Sequence, residues 1–366
     1  MMRDKRYTKT GAAFLLLFFF LPVSVLRAQS GREALAKINK LPPAERAARL
    51  AEGAKRESAL SFYSSETIDL LEQYRGAYVK KYPFVKVEYW RGGGGRVTER
   101  VLLEHRAKKL DADVVGISFD DLVVVQKEGI LAPYESPERK AYADHFKDKQ
   151  GYYTSTNLIP TVISYNSKLV KAAEAPKDYP DLLQPRWKAE LTIDTEPSRA
   201  VMGWLLSWGE EKTRAYMRGL VSNGVFVRRG HSLQTQLLCA GETKAAVELY
   251  AYRVAQMKHE KKCPIELIFA RPTPAASAQL WGPAATSQHP HAAALFMDFI
   301  LSEEGSKLIA ATGRIPVRRG VKSLYEDVSN LEEKGVPLVV ISPEEGFKLR
   351  DKTNQLIEEI LIRKGK

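Results

Sequence analysis

Cysteine is nearly absent from this 366-residue chain: there are two, Cys239 and Cys263, and neither sits in a C-x-x-C or zinc-ligand spacing. Signatures of common hydrolases are also missing. No G-x-S-x-G elbow and no H-E-x-x-H pair occurs. The glycine-rich run at 91–96, RGGGGR, lacks the Gly-Lys-Ser/Thr that completes a phosphate loop. There is no internal repeat or low-complexity stretch. Charge is plentiful but not segregated: 56 Lys and Arg are mixed with 44 Asp and Glu along the chain, which reads as a solvated surface rather than a nucleic-acid groove. Long apolar runs are absent except one, residues 11–23, and that run is shorter than the roughly 20 residues a spanning helix needs.

That single run fixes the expected compartment. Arg3, Lys5, Arg6 and Lys9 precede it, Pro22 interrupts its end, and Ala28 follows as a small residue at a cleavage point. Residues 1–28 therefore read as a cleaved leader and the mature chain as exported. No cysteine stands at the cleavage region, so a lipid anchor is not expected. Loss of the leader removes five basic side chains and one acid, Asp4, and lowers the formal charge from +12 by four. A mild bias toward an anionic ligand or surface survives. In an oxidising compartment Cys239 and Cys263 can pair or stay apart, and their positions leave both open.

The chain is long enough for two lobes with separate cores. Residues 29–57 predict a leading amphipathic helix, with Leu41, Ala47, Leu50, Ala51 and Ala54 on one side. Residues 59–96 then read as strand, polar turn, helix, strand and Gly-rich loop. Leu60, Phe62 and Tyr63 stop at Ser64-Ser65, Leu70, Leu71, Tyr74 and Tyr78 recur at helical spacing until Pro83, and Val85, Val87 and Tyr89 alternate. This βαβ unit implies parallel strands, with ligands beyond their carboxyl ends over helix starts. Strand and helix alternate from there. A second helix covers 96–109, a buried strand 111–118, and an extended aromatic stretch 151–166 forms the first crossing between lobes. The alternation resumes through 191–261. The strand at 265–270 and the turn at 271–274 lead back, helices follow at 290–301 and 303–311, and a last amphipathic helix covers 344–363. The fold class is α/β, with residues 58–155 plus 271–366 in one lobe and 156–270 in the other.

Several segments in this order resemble a known family: LSFYSS at the first strand, DADVVGIS, TVISYNSKL (161–169), YPDLLQPRWKAELTIDTEPSRA (179–200), CAGETKAAVELYAYR (239–253) and AAALFMDFILSEEGSKLIAATGRIPVR (292–318). The chain resembles the extracellular solute-binding proteins of bacterial ABC transporters, closest to their ferric-iron-binding branch, over about residues 58–320. The resemblance implies a two-lobed type II periplasmic-binding fold that closes on a ligand and delivers it to a membrane permease. It implies no catalysis, no resident cofactor, and a monomer in the periplasm. The helix before Ser58 lies outside the family core.

Candidate ligand-binding residues follow from strand ends and helix starts. Ser64, Ser65, Ser118, Thr195 and Ser198 each stand where free N–H groups can receive an anion, although each alone could simply cap a helix. Arg199 beside them can grip a carboxylate or phosphonate with two N–H groups. Arg91 is placed at the cleft edge near an anion. Tyr250 and Tyr252 fall where ferric-binding relatives set adjacent tyrosines, but the aligned pair here is Leu249-Tyr250, so one phenolate is missing. Tyr250 is thus the metal-ligand candidate, with ferric iron as cargo, and an organic or chelated anion is favoured over bare iron. His289 and His291 (HPH) are read as a loop at a helix start, and the other histidines, His231 among them, share no spacing. Two alternatives remain: a secreted hydrolase, and a binding subunit that feeds a sensor receptor.

Overall fold

The computed structural model describes residues 23–363, so the apolar run and most of the expected leader lie outside the described residues. The first surprise is at the start. Where one leading helix is expected, Pro42-Pro43 divides the segment into α1 (Val23–Asn39) and α2 (Pro43–Glu57), because proline cannot continue a helix but suits its first turn. Leu35, Ile38, Leu50 and Ala54 are buried in the core of the first lobe. The Glu57 carboxylate accepts hydrogen bonds from the backbone N–H groups of His291 and Ala292 at 3.1 and 2.8 Å. The pair of helices is thus built into the lobe.

The predicted βαβ unit forms as β1 (Ala59–Ser64), α3 (Ile68–Lys81) and β2 (Lys86–Arg91), with parallel strands. Next come α4 (Gly94–Arg106), β3 (Val114–Ile117) and α5 (Phe119–Lys127). The Gly run therefore opens a helix instead of forming a loose cleft edge. The long β4 (Thr154–Asn166) leads to the second lobe: β5 (Leu191–Asp194), α6 (Ser198–Ser222), β6 (Phe226–Arg228), α7 (His231–Ala240), β7 (Ala245–Tyr250), α8 (Ala251–Lys261) and β8 (Ile265–Ile268). Helix α6 is kinked at Gly209, whose φ of 78° is open to glycine. The return strand β9 (Thr273–Pro283) precedes α9 (Pro290–Leu301), α10 (Glu303–Ala311), the short β10 (Ile315–Pro316), β11 (Leu338–Ile341) and α11 (Pro343–Leu356), which ends in a wider turn over Ile357–Ile362.

Two sheets share β4. Its first half pairs antiparallel with β9 in the order β2-β1-β3-β9-β4, and its second half pairs with β7 and β8 in a sheet that continues to β5 and β6. The changeover falls at Pro160/Thr161, a few residues later than the expected crossing at 155/156, since one continuous strand serves both lobes. Each lobe has its own aromatic centre. Phe62 stacks between Tyr89 and Phe296 in the first, and Trp204 packs with Tyr179, Trp208 and Tyr216 in the second. Such pairs contribute about 0.5–1.5 kcal/mol each beyond area burial.

The C-terminal boundary needs correcting. Residues 271–366 are expected in the first lobe, but Leu356, Ile357, Ile360 and Leu361 are buried in the core of the second. Helix α11 packs on both α5 and α6, and Leu349 touches the cores of both lobes. The apolar face of that helix reads equally well against either lobe in sequence. Cys239 and Cys263 are joined by a disulfide with a Cα–Cα distance of 5.2 Å. It ties the end of α7 to the start of β8, and a loop of that size is stabilised by about 3.5 kcal/mol in the chain-entropy account.

Candidate ligand cleft

Four helices begin at one cavity of about 240 Å³ between the lobes. From the first lobe come Ser118, Phe119 and Asp121 at the start of α5. From the second come Pro197, Ser198 and Arg199 at the start of α6, His231 at the start of α7, and Tyr250 at the junction of β7 and α8. The α/β alternation explains the convergence, because each helix starts where a strand delivers its carboxyl end. None of the four is capped by the side chain of its own N-cap residue. Each helix start thus brings the partial positive charge of its first-turn N–H groups to this end of the sheet.

Arg199 and Tyr250 form the centre of the second-lobe wall. The Arg199 Nη1 donates to the Tyr250 hydroxyl at 2.7 Å, and its guanidinium lies 5.1 Å from the ring centroid. The His231 ring stacks on the Tyr250 ring itself, with centroids 4.0 Å apart and planes 12° from parallel. Beneath it, the imidazole is held between two buried carboxylates: Nε2 is 2.9 Å from Glu248 and Nδ1 is 3.3 Å from Asp194. Burial pulls the His231 pKa down, but the carboxylates of Glu248 and then Asp194 outweigh it, and the net shift is upward. Asp194 is itself fixed by Gly230 N–H at 2.8 Å and Gln234 Nε2 at 2.9 Å. Burial raises the Tyr250 pKa against the opposing pull of Arg199, so the phenol is held neutral.

The candidates divide. Ser118, Ser198, Arg199 and Tyr250 line the cavity together. Tyr252 does not line it, but stacks on Tyr250 at 6.1 Å and lies under the Arg314 guanidinium. Ser64 is a correction: it is fully buried, and its hydroxyl accepts from Gln279 Nε2 at 3.0 Å and Glu66 N–H at 3.1 Å. A glutamine from β9 has taken the place assigned to the ligand. Ser65 is partly buried and its hydroxyl donates to Gln279 Oε1 at 3.3 Å. Arg91 is turned to the Glu66 carbonyl at 3.1 Å and is not in the cavity wall. Thr195 faces a different recess, shared with Asn354, Ile357 and Glu358 of the C-terminal helix. The HPH histidines serve structure: His289 Nδ1 is 2.9 Å from Asp113 and His291 Nδ1 is 2.6 Å from Glu57.

His231 and Glu248, with Asp121 and Glu196 of the same wall, are residues that sequence reasoning missed. Glu248 had a signal. It lies two residues before Tyr250 on β7, and residues i and i+2 of a strand share a face. His231 had none beyond its place after Gly230 at a helix start. Among the described residues, no group of three His, Cys, Asp or Glu side chains is arranged to hold a metal ion.

Comparison with known proteins gives concordant results. A family model described as bacterial extracellular solute-binding protein matches residues 122–345. A Fe(3+)-binding periplasmic protein of Serratia marcescens is 21% identical over 279 residues, covering 74% of this chain and 82% of the relative. A putative 2-aminoethylphosphonate-binding periplasmic protein of Salmonella typhi is 28% identical over 190 residues, 50% of this chain and 53% of its own length. Among solved structures, iron-bound HitA from Pseudomonas aeruginosa superposes with a TM-score of 0.73 at 20% identity, over 83% of this chain and 99% of that one. The two-lobed fold is shared.

Proposed function

The chain belongs to the bacterial extracellular solute-binding proteins, and from that premise we propose that it is the periplasmic component of an ABC importer. It closes two lobes on a small anionic ligand and delivers that ligand to a membrane permease. The observation that carries this reading is the convergence of four helix N-termini with Arg199 at one inter-lobe cavity. Free N–H groups and a guanidinium fork are the donors that carboxylates and phosphonates require. The size of the cavity suits a small solute. In this reading the protein is exported by its cleaved leader, acts as a monomer, binds no nucleic acid and turns nothing over.

Ferric iron is the second reading, favoured by the names of two relatives. Tyr250 would then be the phenolate ligand. Three features weigh against it: Leu249 is fully buried where a second tyrosine is needed, Arg199 already donates to the Tyr250 oxygen, and burial favours the neutral phenol. The organic or chelated anion is therefore preferred.

A thermal-shift screen of the mature protein against phosphonates, carboxylates, polyamines and ferric citrate separates the readings. A probe at 100 times its dissociation constant adds about 2.7 kcal/mol of stability. Phosphonates or carboxylates should shift the melting curve, and small-angle scattering should report a smaller radius of gyration with the probe bound. A shift with ferric citrate alone, accompanied by a visible absorption band that Tyr250→Phe abolishes, would reverse the preference.

A further inference from the structure

The cavity holds more than donors. Three carboxylates, Asp121, Glu196 and Glu248, share its wall with Arg199 and His231. Asp121 is engaged by the Ser118 hydroxyl at 2.6 Å and by Arg350 at 3.3 Å. Glu248 is 1% exposed and uses one oxygen on His231, while its Oε1 is shielded from solvent and has no hydrogen-bond partner. A buried carboxylate oxygen left without a donor is costly, and native proteins rarely keep one unless something supplies the donor. Glu196 is exposed at the same wall and makes no ion pair among the described residues.

An acid alone does not complete such a site. Its negative charge would complement the guanidinium of Arg199 and the helix N-termini, yet it brings no donor to Glu248 and meets Glu196 with like charge. We propose that the ligand is bipolar: an acid group held by Arg199 and the starts of α5 and α6, joined by a short spacer to an amino group received by Glu248 and Glu196. This rests on the reading of the cavity as the ligand site and specifies its substrate class as small amino acids in the wide sense, carboxylic or phosphonic. The roughly 240 Å³ of the cavity, space for about eight waters, limits the spacer to a few carbons.

The test uses matched pairs that differ only in the amine: 2-aminoethylphosphonate against ethylphosphonate, and β-alanine against propionate, titrated calorimetrically into the mature protein. The amino member of the better-binding pair should be tighter by about 10- to 100-fold, the range of a charge-assisted hydrogen bond. Glu248→Gln should cancel that preference, read as the ratio of the two affinities within each pair. Because Glu248 is buried, Glu196→Gln at the exposed wall serves as a second variant and should reduce the preference by a smaller factor. Equal affinities within both pairs, or a preference untouched by either variant, overturn the bipolar ligand while leaving an anion site in place. If no member of either pair binds and Arg199→Gln changes nothing with any acid, the anion reading itself falls and the bipolar ligand falls with it.

Discussion

The two walls of the cleft are made from similar parts and used differently. On the first-lobe side hydrogen-bonding capacity is consumed internally. Ser64 is locked by Gln279, Ser118 donates to Asp121, and Glu66 pairs with Arg314 at 3.1 Å, both side chains below a tenth exposed. On the second-lobe side capacity is left over. Tyr250 accepts from Arg199 and keeps its own proton to donate, and Glu248 keeps an unused oxygen. The same residue types, hydroxyls and carboxylates, are therefore engaged in one lobe and keep hydrogen-bonding capacity in the other. In the proposed reading the second lobe grips the ligand, and the first contributes chiefly the start of α5.

The harshest way to break this contrast is Arg314→Leu. It leaves Glu66 buried without its partner, which costs about 3–5 kcal/mol, so chemical denaturation should show a large loss of stability. The folded fraction should still bind an acid probe within a few-fold of wild type. Unchanged stability with abolished binding would mean that the first-lobe arginine belongs to the grip. Next in size is Arg199→Gln on the other wall. Loss of hydrogen bonds from a charged donor is worth about 1.5–3 kcal/mol, so calorimetry should show binding of a phosphonate or carboxylate weakened about 10- to 150-fold. If affinity holds, the second lobe is not the gripping one.

The mildest test compares two histidines, one on each lobe. The hydrogen bond His289 donates to Asp113 and the charge of that carboxylate raise the His289 pKa against partial burial, and the carboxylates around His231 raise its value too. A histidine raised above about 6.5 contributes stability that is complete below that pH and is lost as pH climbs through the folded value. Both should therefore make the melting temperature fall as pH rises from about 6.5, and His231→Gln should remove part of that fall. Only His231 touches the cleft wall, against Tyr250, Asp194 and Glu248 with Arg199 nearby. Affinity for an acid probe should thus also decline over the same pH range in wild type and in His289→Gln, but not in His231→Gln.

Much of the fold was legible because periodicity and proline reported it directly. Helices α9 and α10 fall where their apolar spacing places them, and the structure adds the Ser302 cap between them. Strand β9 was not legible. Its run TPAASAQLWGP is small and proline-flanked, and only burial between β3 and β4 makes it a strand. For the site, strand-end reasoning found Ser118, Ser198, Arg199 and Tyr250. It failed at Ser64, since which hydroxyl is taken by Gln279, 215 residues away, is a tertiary fact. It failed at His231 for the same reason: the two carboxylates that define its role come from different strands.

The position of the first and last described elements has a practical consequence. The opening helices are embedded in the first lobe, while Ile357–Ile362 is embedded in the second. These two elements thus belong to opposite lobes. If the lobes close on a ligand as proposed, a fluorophore on exposed Lys37 and another on exposed Arg363 would change their separation, and the transfer of energy between them would read occupancy of the cleft without any label inside it. The chain is already wired as a molecular gauge.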